Sequence, residues 1–403
     1  MVVTQSGRSR VSRRGAPSRD HQRTPLRMVS WVVKVSKLCN LRCRYCYEWN
    51  ELHQTQRMSL GEWKRLLESI RRYHERRIAE VGESFTTTII WHGGEPLLLP
   101  LPYLRAVFDL QHQMLGGLLD NGAVVNALQT NLYRISDEQI GLLKAEKIQL
   151  GVSCDVVGGV RLSLGNHETE EQVARNMDRL RVANVEFGAI TVLGAHTAPR
   201  ITEIYDFYRS IGVPVRFLPV FAAPLNTPDA SFALTIAQAE DALQRLFLHW
   251  VQEKRRVSVL PIDDCVATVL RCRHGSATWK YDRQLGEWAF IVNTDGTLFQ
   301  THEAYDERWA LGNIFEQPID EVLASPAYVA SFARDSTLIA RVCSGCRWKK
   351  GCSMLPAFDG SLAGGQELRC NYTYALCGFI DDYLTSHGFT LDQIARLVPA
   401  NGQ

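Results

Sequence analysis

Trp31-Val32-Val33-Lys34-Val35-Ser36 leads within two residues into Cys39-Asn40-Leu41-Arg42-Cys43-Arg44-Tyr45-Cys46. The first segment is rich in β-branched residues and predicts a strand. The second places three thiols at C-x3-C-x2-C spacing, with an aromatic before the last. Three thiolates on one short loop can wrap three corners of a cubane iron–sulfur cluster. A structural zinc site takes four ligands, and this loop supplies three. One iron is then left open to a non-protein ligand, which a catalytic centre needs and a structural one does not. Three unrelated buried cysteines are the competing reading, and coincidence at this spacing is rare at this cysteine content.

Outward from that loop, strands and helices alternate. Ser59-Leu60-Gly61-Glu62 predicts a capping box opening a helix to about Ala79. Thr87–Trp91, Val124–Leu128, Ile148–Ser153, Phe187–Leu193 and Val215–Val220 read as five further strands. Helices are expected near Leu101–Leu115, after the caps Ser136 and Thr169, and over Arg200–Ile211 up to Gly212. Six strands separated by helices imply a parallel sheet with right-handed crossovers. A partial barrel and an open sheet both fit that count, and in either the ligand belongs at the carboxyl ends of the strands. A helix around Thr235–Lys254 then leads into an irregular stretch rich in Cys, Gly and turn residues, which begins at Val259. The expected domains are a basic tail at 1–28, the α/β unit at 29–225, a helical linker at 226–260 and a cysteine-rich domain at 261–403.

The chain has 403 residues, 45% of them hydrophobic and 22% charged, enough for a core that needs no disulfides. A net charge of +2 argues against a nucleic-acid partner. No run of 18 apolar residues argues for a membrane span. The first 28 residues carry seven arginines among Ser, Gly and Pro without an apolar core, so they read as a solvated leader and not a secretory signal. Met28 is an alternative start. The eleven cysteines are clustered, three at 39–46 and five at 343–377, which points to metal ligation in a reducing, cytoplasmic setting.

The cysteine loop after strand one resembles the signature of the radical S-adenosylmethionine (SAM) superfamily. His92-Gly93-Gly94-Glu95-Pro96 follows the second strand, where that superfamily carries a Gly-Gly-Glu-Pro motif. The resemblance implies a partial (β/α)6 TIM-like barrel. It implies a [4Fe–4S] cluster on Cys39, Cys43 and Cys46. It also implies S-adenosylmethionine held by Gly93, Gly94 and Glu95, with Tyr45, Gln129, Asn131 and Ser153 facing the cofactor. Reductive cleavage would then yield a 5′-deoxyadenosyl radical that abstracts hydrogen, the cofactor carrying the hard chemistry. Cys154 is expected to be a buried small hydrophobe.

The C-terminal third, with Cys343-x2-Cys346-x5-Cys352, Cys370 and Cys377, resembles the SPASM domain, an auxiliary-cluster extension of peptide-modifying radical enzymes. Leu311-Gly312-Asn313-Ile314 matches that domain too. One ligand set maps completely: Cys343, Cys346, Cys352 and Cys370. The other maps in part. Cys265 and Cys272 fit its first pair, but Thr301 and Pro356 stand where cysteines belong, unless His302 or Cys377 substitutes. A zinc ribbon is the structural alternative.

Sulfatase-maturing members carry a Cys-Asp pair where this chain has Thr301-His302. The chain therefore looks more like maturases that form cyclophane cross-links in ribosomal peptides. The expected activity is oxidative cross-linking of a ribosomal precursor peptide, with an electron donor such as flavodoxin or ferredoxin. A sulfatase-type maturase, a peptide epimerase (with Cys377 or Cys154 as hydrogen donor) and a structural zinc or iron–sulfur protein are the alternatives. Asp155, His302 and Cys377 are the catalytic candidates. About 30 residues before the barrel are too few for a separate peptide-recognition domain, so the peptide is expected on the barrel, the SPASM region or a partner.

Overall fold

The computed structural model describes residues 26–82, 84–221, 230–275, 283–300, 307–352, 370 and 372–398. His302, Thr301, Pro356 and most of the basic tail lie outside the described residues.

Strand β1 (Met28–Ser36) runs into β2 (Leu41–Cys43), and α1 (Leu60–Val81) returns the chain to β3 (Thr86–Gly93). The expected capping box is present: Ser59 Oγ accepts from Glu62 N, and Glu62 accepts from Ser59 N. Next come α2 (Leu101–Asp120), β4 (Val124–Thr130), α3 (Asp137–Ala145) and β5 (Gln149–Ser153). The short β6 (Arg161–Ser163) precedes α4 (Glu170–Val182), β7 (Phe187–Leu193), α5 (Ile201–Ile211) and β8 (Val215–Pro219). Strands β1, β3, β4, β5, β7 and β8 pair in parallel in that order, the sixfold α/β pattern of a partial barrel. Gly212 ends α5 in the left-handed conformation (φ 69°), as its position predicts. Thr169 does not cap α4 with its side chain. Its hydroxyl donates instead to the Arg161 carbonyl at 2.8 Å and ties the helix to β6.

Alternation along each strand sorts the residues into two faces. On β1, Val29, Trp31, Val33 and Val35 are fully buried against the helices, while Ser30, Val32 and Lys34 face the interior. Large interior side chains are scarce at the lower levels, where Gly151 and Gly188 stand. The centre is therefore hollow.

Two features depart from the expected organisation. The stretch anticipated as a linker holds α6 (Ile236–Gln252), whose Leu243, Leu246, Phe247 and Trp250 are completely buried, so it is a core helix. The ten-stranded sheet also continues past both edges of the six strands. At one edge β9 (Val259–Leu260) adds in parallel to β8 and leads into α7 (Ile262–His274). At the other, β10 (Ala289–Val292) pairs in parallel with β1, followed by antiparallel β11 (Thr297–Gln300) and β12 (Gly312–Asn313). Unpaired backbone on β1 is thereby covered. The remaining elements are α8 (Ile319–Leu323), α9 (Pro326–Cys343), α10 (Thr373–Ser386) and α11 (Leu391–Ala395). Among the described residues no helix is long and apolar enough to cross a membrane.

Candidate radical SAM and iron–sulfur sites

The cysteine loop is shaped by its backbone. Cys39 N donates to the Leu52 carbonyl (3.1 Å), Cys46 N to the Cys43 carbonyl (2.9 Å) and Arg44 N to the Val160 carbonyl (3.1 Å). Strand β2 pairs antiparallel with β6, placing Cys43 opposite Arg161. Cys39 packs with Leu41 and Leu52 and is bridged to β4 by Asn131, whose Nδ2 reaches Cys39 Sγ (3.7 Å) and Asn40 Oδ1 (2.9 Å).

The three thiols line a cavity of about 670 Å³ at the carboxyl ends of the strands. Tyr45, Gly93, Gly94, Gln129, Asn131 and Ser153 line it too, so the structure brings these expected cofactor-facing residues together. Gln129 Nε2 donates to Ser153 Oγ at 2.6 Å. Glu95 is placed differently. It is 2% exposed, and its carboxylate accepts from Leu97 N (3.0 Å), Thr130 Oγ1 (2.8 Å) and Asn131 N (2.6 Å), which fastens the exit of β3 to that of β4. The glycines also have a reason beyond close approach of a ligand. A Cβ on Gly93, at φ 129°, would sit 2.0 Å from the Ser36 carbonyl oxygen, and one on Gly94 2.3 Å from those of Lys37 and Leu38. The motif presses the β3 exit onto the backbone that launches the cysteine loop.

Several polar residues of the cavity were not singled out from the sequence. Lys34 Nζ pairs with Glu48 at 2.7 Å and with Tyr47 Oη at 2.7 Å. Burial alone would lower the Lys34 pKa, but Tyr47 and Glu48 hold it above its ordinary value. Burial would raise that of Glu48, and Lys34 and Lys37 hold it below. His92 is pushed down to about 3, by burial and then by Lys34, and is neutral. Its Nδ1 accepts from Gly93 N (2.8 Å) and faces Lys34 Nζ (3.1 Å), so Nε2 carries the proton. The alternation of β1 and β3 places Lys34 and His92 inward, and that was the available signal.

Behind the loop, Tyr45 donates to Asp155 (2.6 Å) and accepts from Arg161 (2.7 Å). Asp155 is fully buried, also accepts from Val192 N (3.0 Å), and lies 3.4 Å from His196 Nε2. It does not line the cavity, and its carboxylate is taken up by Tyr45 and Val192 N. Arg161 lines the cavity, and its buried Nε has no hydrogen-bond partner among the described residues. That leaves a cationic donor for an anionic group. Cys154 is a core residue, as expected.

Three soft thiol donors on one loop suit iron chemically. Burial pushes Cys39 up to about 12 and Cys46 to about 11, so the bare loop favours neutral thiols, and bound iron would reverse that preference. Among the described residues no three cysteine sulfurs lie within 4.8 Å of one another.

In the second cysteine group Cys343 ends α9, and Cys346 N donates to its carbonyl (3.2 Å). The Cys370 thiol is raised to about 12, first by burial and then by Cys343, Cys346 and Cys377. Cys352 lies on the turn bonded to α7, where Arg271 Nε donates to the Gly351 carbonyl at 2.8 Å. Cys272 approaches the same turn, 3.7 Å from the Trp348 carbonyl. Cys265 and Cys377 are fully buried between α7 and α10, with Cys377 Sγ 4.0 Å from the Cys265 carbonyl. Cys377 therefore lies outside the barrel cavity. Phe221 on the cavity rim stacks on Tyr372, two residues after Cys370, and links the two regions (ring centroids 6.4 Å apart).

Residues 33–208 match the Radical SAM superfamily, and residues 285–347 match SPASM, an iron–sulfur cluster-binding domain. The chain is thus a radical SAM enzyme with a SPASM domain, and its cofactors are [4Fe–4S] clusters and S-adenosylmethionine. Among curated proteins it is similar to the cysteine-type anaerobic sulfatase-maturating enzyme of Clostridium novyi, at 25% identity over 81% of this chain and 87% of that one. In fold it resembles native anSMEcpe with bound AdoMet (TM-score 0.70, 20% identity, 92% of this chain and 100% of that one). It also resembles Streptococcus suis SuiB bound to precursor peptide SuiA (TM-score 0.55, 14% identity, 82% and 72%).

Proposed function

We propose that this chain is a peptide maturase that oxidises a side chain of a ribosomal precursor peptide, with an oxidative cross-link such as a cyclophane as the product. When bound, the first cluster and S-adenosylmethionine supply a 5′-deoxyadenosyl radical that removes a hydrogen atom from the substrate. The chain's own residues do the rest. Cys39, Cys43 and Cys46 hold the cluster, Gly93 and Gly94 shape the wall beside it, and Arg161 offers its guanidinium to an anionic group. Gln129, Asn131 and Ser153 orient what enters.

The observation that carries the reading is the run from cavity to second cysteine group through Phe221 and Tyr372. Hydrogen abstraction takes one hydrogen atom, bond formation then releases one proton and one electron, and a cluster on Cys343, Cys346, Cys352 and Cys370 would accept the electron. SuiB was solved with a precursor peptide, in keeping with a peptide substrate. Eleven free cysteines suit a reducing, cytoplasmic setting. A sulfatase-type reaction is the second reading, favoured by the Clostridium novyi relative. The Thr301-His302 pair in place of Cys-Asp argues against it.

The test replaces Cys346 by Ala and incubates the reconstituted chain with its cognate precursor, encoded nearby, and a strong reductant. The variant should still form 5′-deoxyadenosine, while mass spectrometry shows no loss of two hydrogens from the peptide. Wild-type peptide oxidation by the variant would make the second site merely structural. Modification of a sulfatase peptide instead of the neighbouring precursor would establish the second reading.

A further inference from the structure

Strands β1 and β3 are register partners at Lys34 and His92, and both residues line the barrel cavity. The His92 ring is engaged on one side only. Its Nδ1 accepts from Gly93 N at 2.8 Å and faces Lys34 Nζ at 3.1 Å. A ring nitrogen that accepts from a backbone N–H carries no proton, so the neutral ring bears its hydrogen on Nε2. Among the described residues nothing accepts from that atom. The half-buried ring therefore leaves an N–H donor to the cavity.

The ring is held in place from several directions. Lys34 Nζ, which faces Nδ1, also meets Glu48 (2.7 Å) and Tyr47 Oη (2.7 Å). The Lys34 carbonyl accepts from Thr294 Oγ1 at 2.7 Å, which ties the turn between β10 and β11 to β1. That bond helps bring Ile291 onto the same wall. Ile291 pairs with Val32, and Val32 with Ile90, two residues below Lys34 and His92. All three apolar side chains line the cavity beside the donor.

Charge narrows what this donor can take. Lys34 and Glu48 compensate each other, and Val32, Ile90 and Ile291 add none. A carboxylate brought here would lose its hydration without gaining a counter-charge. An uncharged carbonyl needs one donor and finds it. We propose that His92 anchors the substrate, Nε2 donating to an uncharged amide carbonyl of the peptide while Val32, Ile90 and Ile291 receive the apolar side chain next to it. Lys34 is the positioning residue that fixes the ring. No bond forms or breaks in this step. The inference rests on the peptide-substrate reading above and is independent of which product forms.

The carbonyl can belong to the main chain or to an Asn or Gln side chain, and the probes separate these. The probe is the synthetic neighbouring precursor, or a sulfatase peptide if that is what the wild-type chain modifies, so failure of the cross-linking reading leaves this test standing. His92→Asn keeps an acceptor where Nδ1 stands and loses the reach of Nε2. His92→Gln keeps a donor at that reach. The KM for the peptide should rise roughly tenfold in His92→Asn and less than about threefold in His92→Gln. With the wild-type chain, each main-chain carbonyl of the peptide is replaced in turn by a thiocarbonyl, a weaker acceptor, and each Asn or Gln by Leu. One such change should raise KM roughly fivefold or more, and that penalty should vanish in His92→Asn. An unchanged peptide KM in His92→Asn would overturn the proposal. So would a peptide penalty of equal size in both chains, or a KM for S-adenosylmethionine that rises as much as that for the peptide, because the donor would then serve the cofactor. If His92→Asn loads less iron, His92→Leu takes its place. Should that variant fail too, the peptide series on the wild-type chain decides: no change raising KM more than about threefold would sink the assignment.

Discussion

Replacing Gly94 by Ala probes how the Gly-Gly-Glu-Pro segment works. The added methyl would lie 2.3 Å from two carbonyl oxygens, those of Lys37 and Leu38, and 2.5 Å from the Leu38 carbonyl carbon. That is roughly 1 Å or more inside van der Waals contact. All three atoms are backbone, so no rotamer change relieves the clash. The launching segment of the cysteine loop must retreat. That movement loosens Gly94 N to the Ser36 carbonyl (2.9 Å) and Glu95 N to the Leu38 carbonyl (2.9 Å). Overpacking costs about 1–3 kcal/mol, and two weakened hydrogen bonds cost about 0.5–1.5 kcal/mol each. The sum is roughly 2–6 kcal/mol, borne by the loop that carries Cys39. Urea unfolding should show that loss, and anaerobic reconstitution should load fewer irons per chain, before any cofactor is added. Gly117→Ala on α2 is the control: its Cβ would meet nothing within 4 Å, and a gain of up to ~1 kcal/mol is expected from helix propensity. A Gly94→Ala chain with unchanged stability and full iron content, yet impaired in cofactor cleavage, would refute the argument. The glycine would then be needed only for the ligand.

Replacing Cys43 by Ala should abolish deoxyadenosine formation and remove about four irons per chain while the second site keeps its own, as iron analysis would show. Asp263 is buried with Oδ1 unpaired, and its pKa is raised by that burial to about 6. Between the ordinary carboxylate value of ~4 and about 6, the folded chain holds a proton that the unfolded chain has released, so stability falls as pH rises through that window. Asp263→Asn should flatten that slope, by on the order of 1–3 kcal/mol, in urea titrations at pH 4.5 and 7.5; an unchanged slope would assign it elsewhere. In the cysteine-rich half, Arg283 is buried between Glu287 (2.7 Å) and Asp335 (2.7 Å). Arg283→Met would strand both carboxylates and should cost about 3–5 kcal/mol. Adding Glu287→Gln and Asp335→Asn should recover part of that loss.

What could be read from the linear chain rests on local composition and spacing. The β-rich runs Trp31–Ser36 and Phe187–Leu193, the capping boxes at Ser59 and Ser136, and the left-handed stop at Gly212 are short-range preferences. They marked the six parallel strands. The C-x3-C-x2-C loop and the Gly-Gly-Glu-Pro segment are local in the same sense, and they named the chemistry. Other features depend on partners far away in sequence. Ala289–Val292 is four residues long, too short to show a period, and becomes a strand only because β1 offers an unpaired edge. Lys34 reads as a polar residue in an apolar strand until Glu48, Tyr47 and His92 close around it. Glu95 is a ligand candidate by its motif, but the backbone of Leu97 and Asn131 claims its oxygens. Cys377 resembles the other thiols in sequence, and the packing of α10 on α7 buries it away from the barrel cavity. Spacing declares which atoms can bind iron. Only the fold decides which of them face a common space, because burial, edge pairing and the desolvation of charge are properties of surfaces that meet in three dimensions.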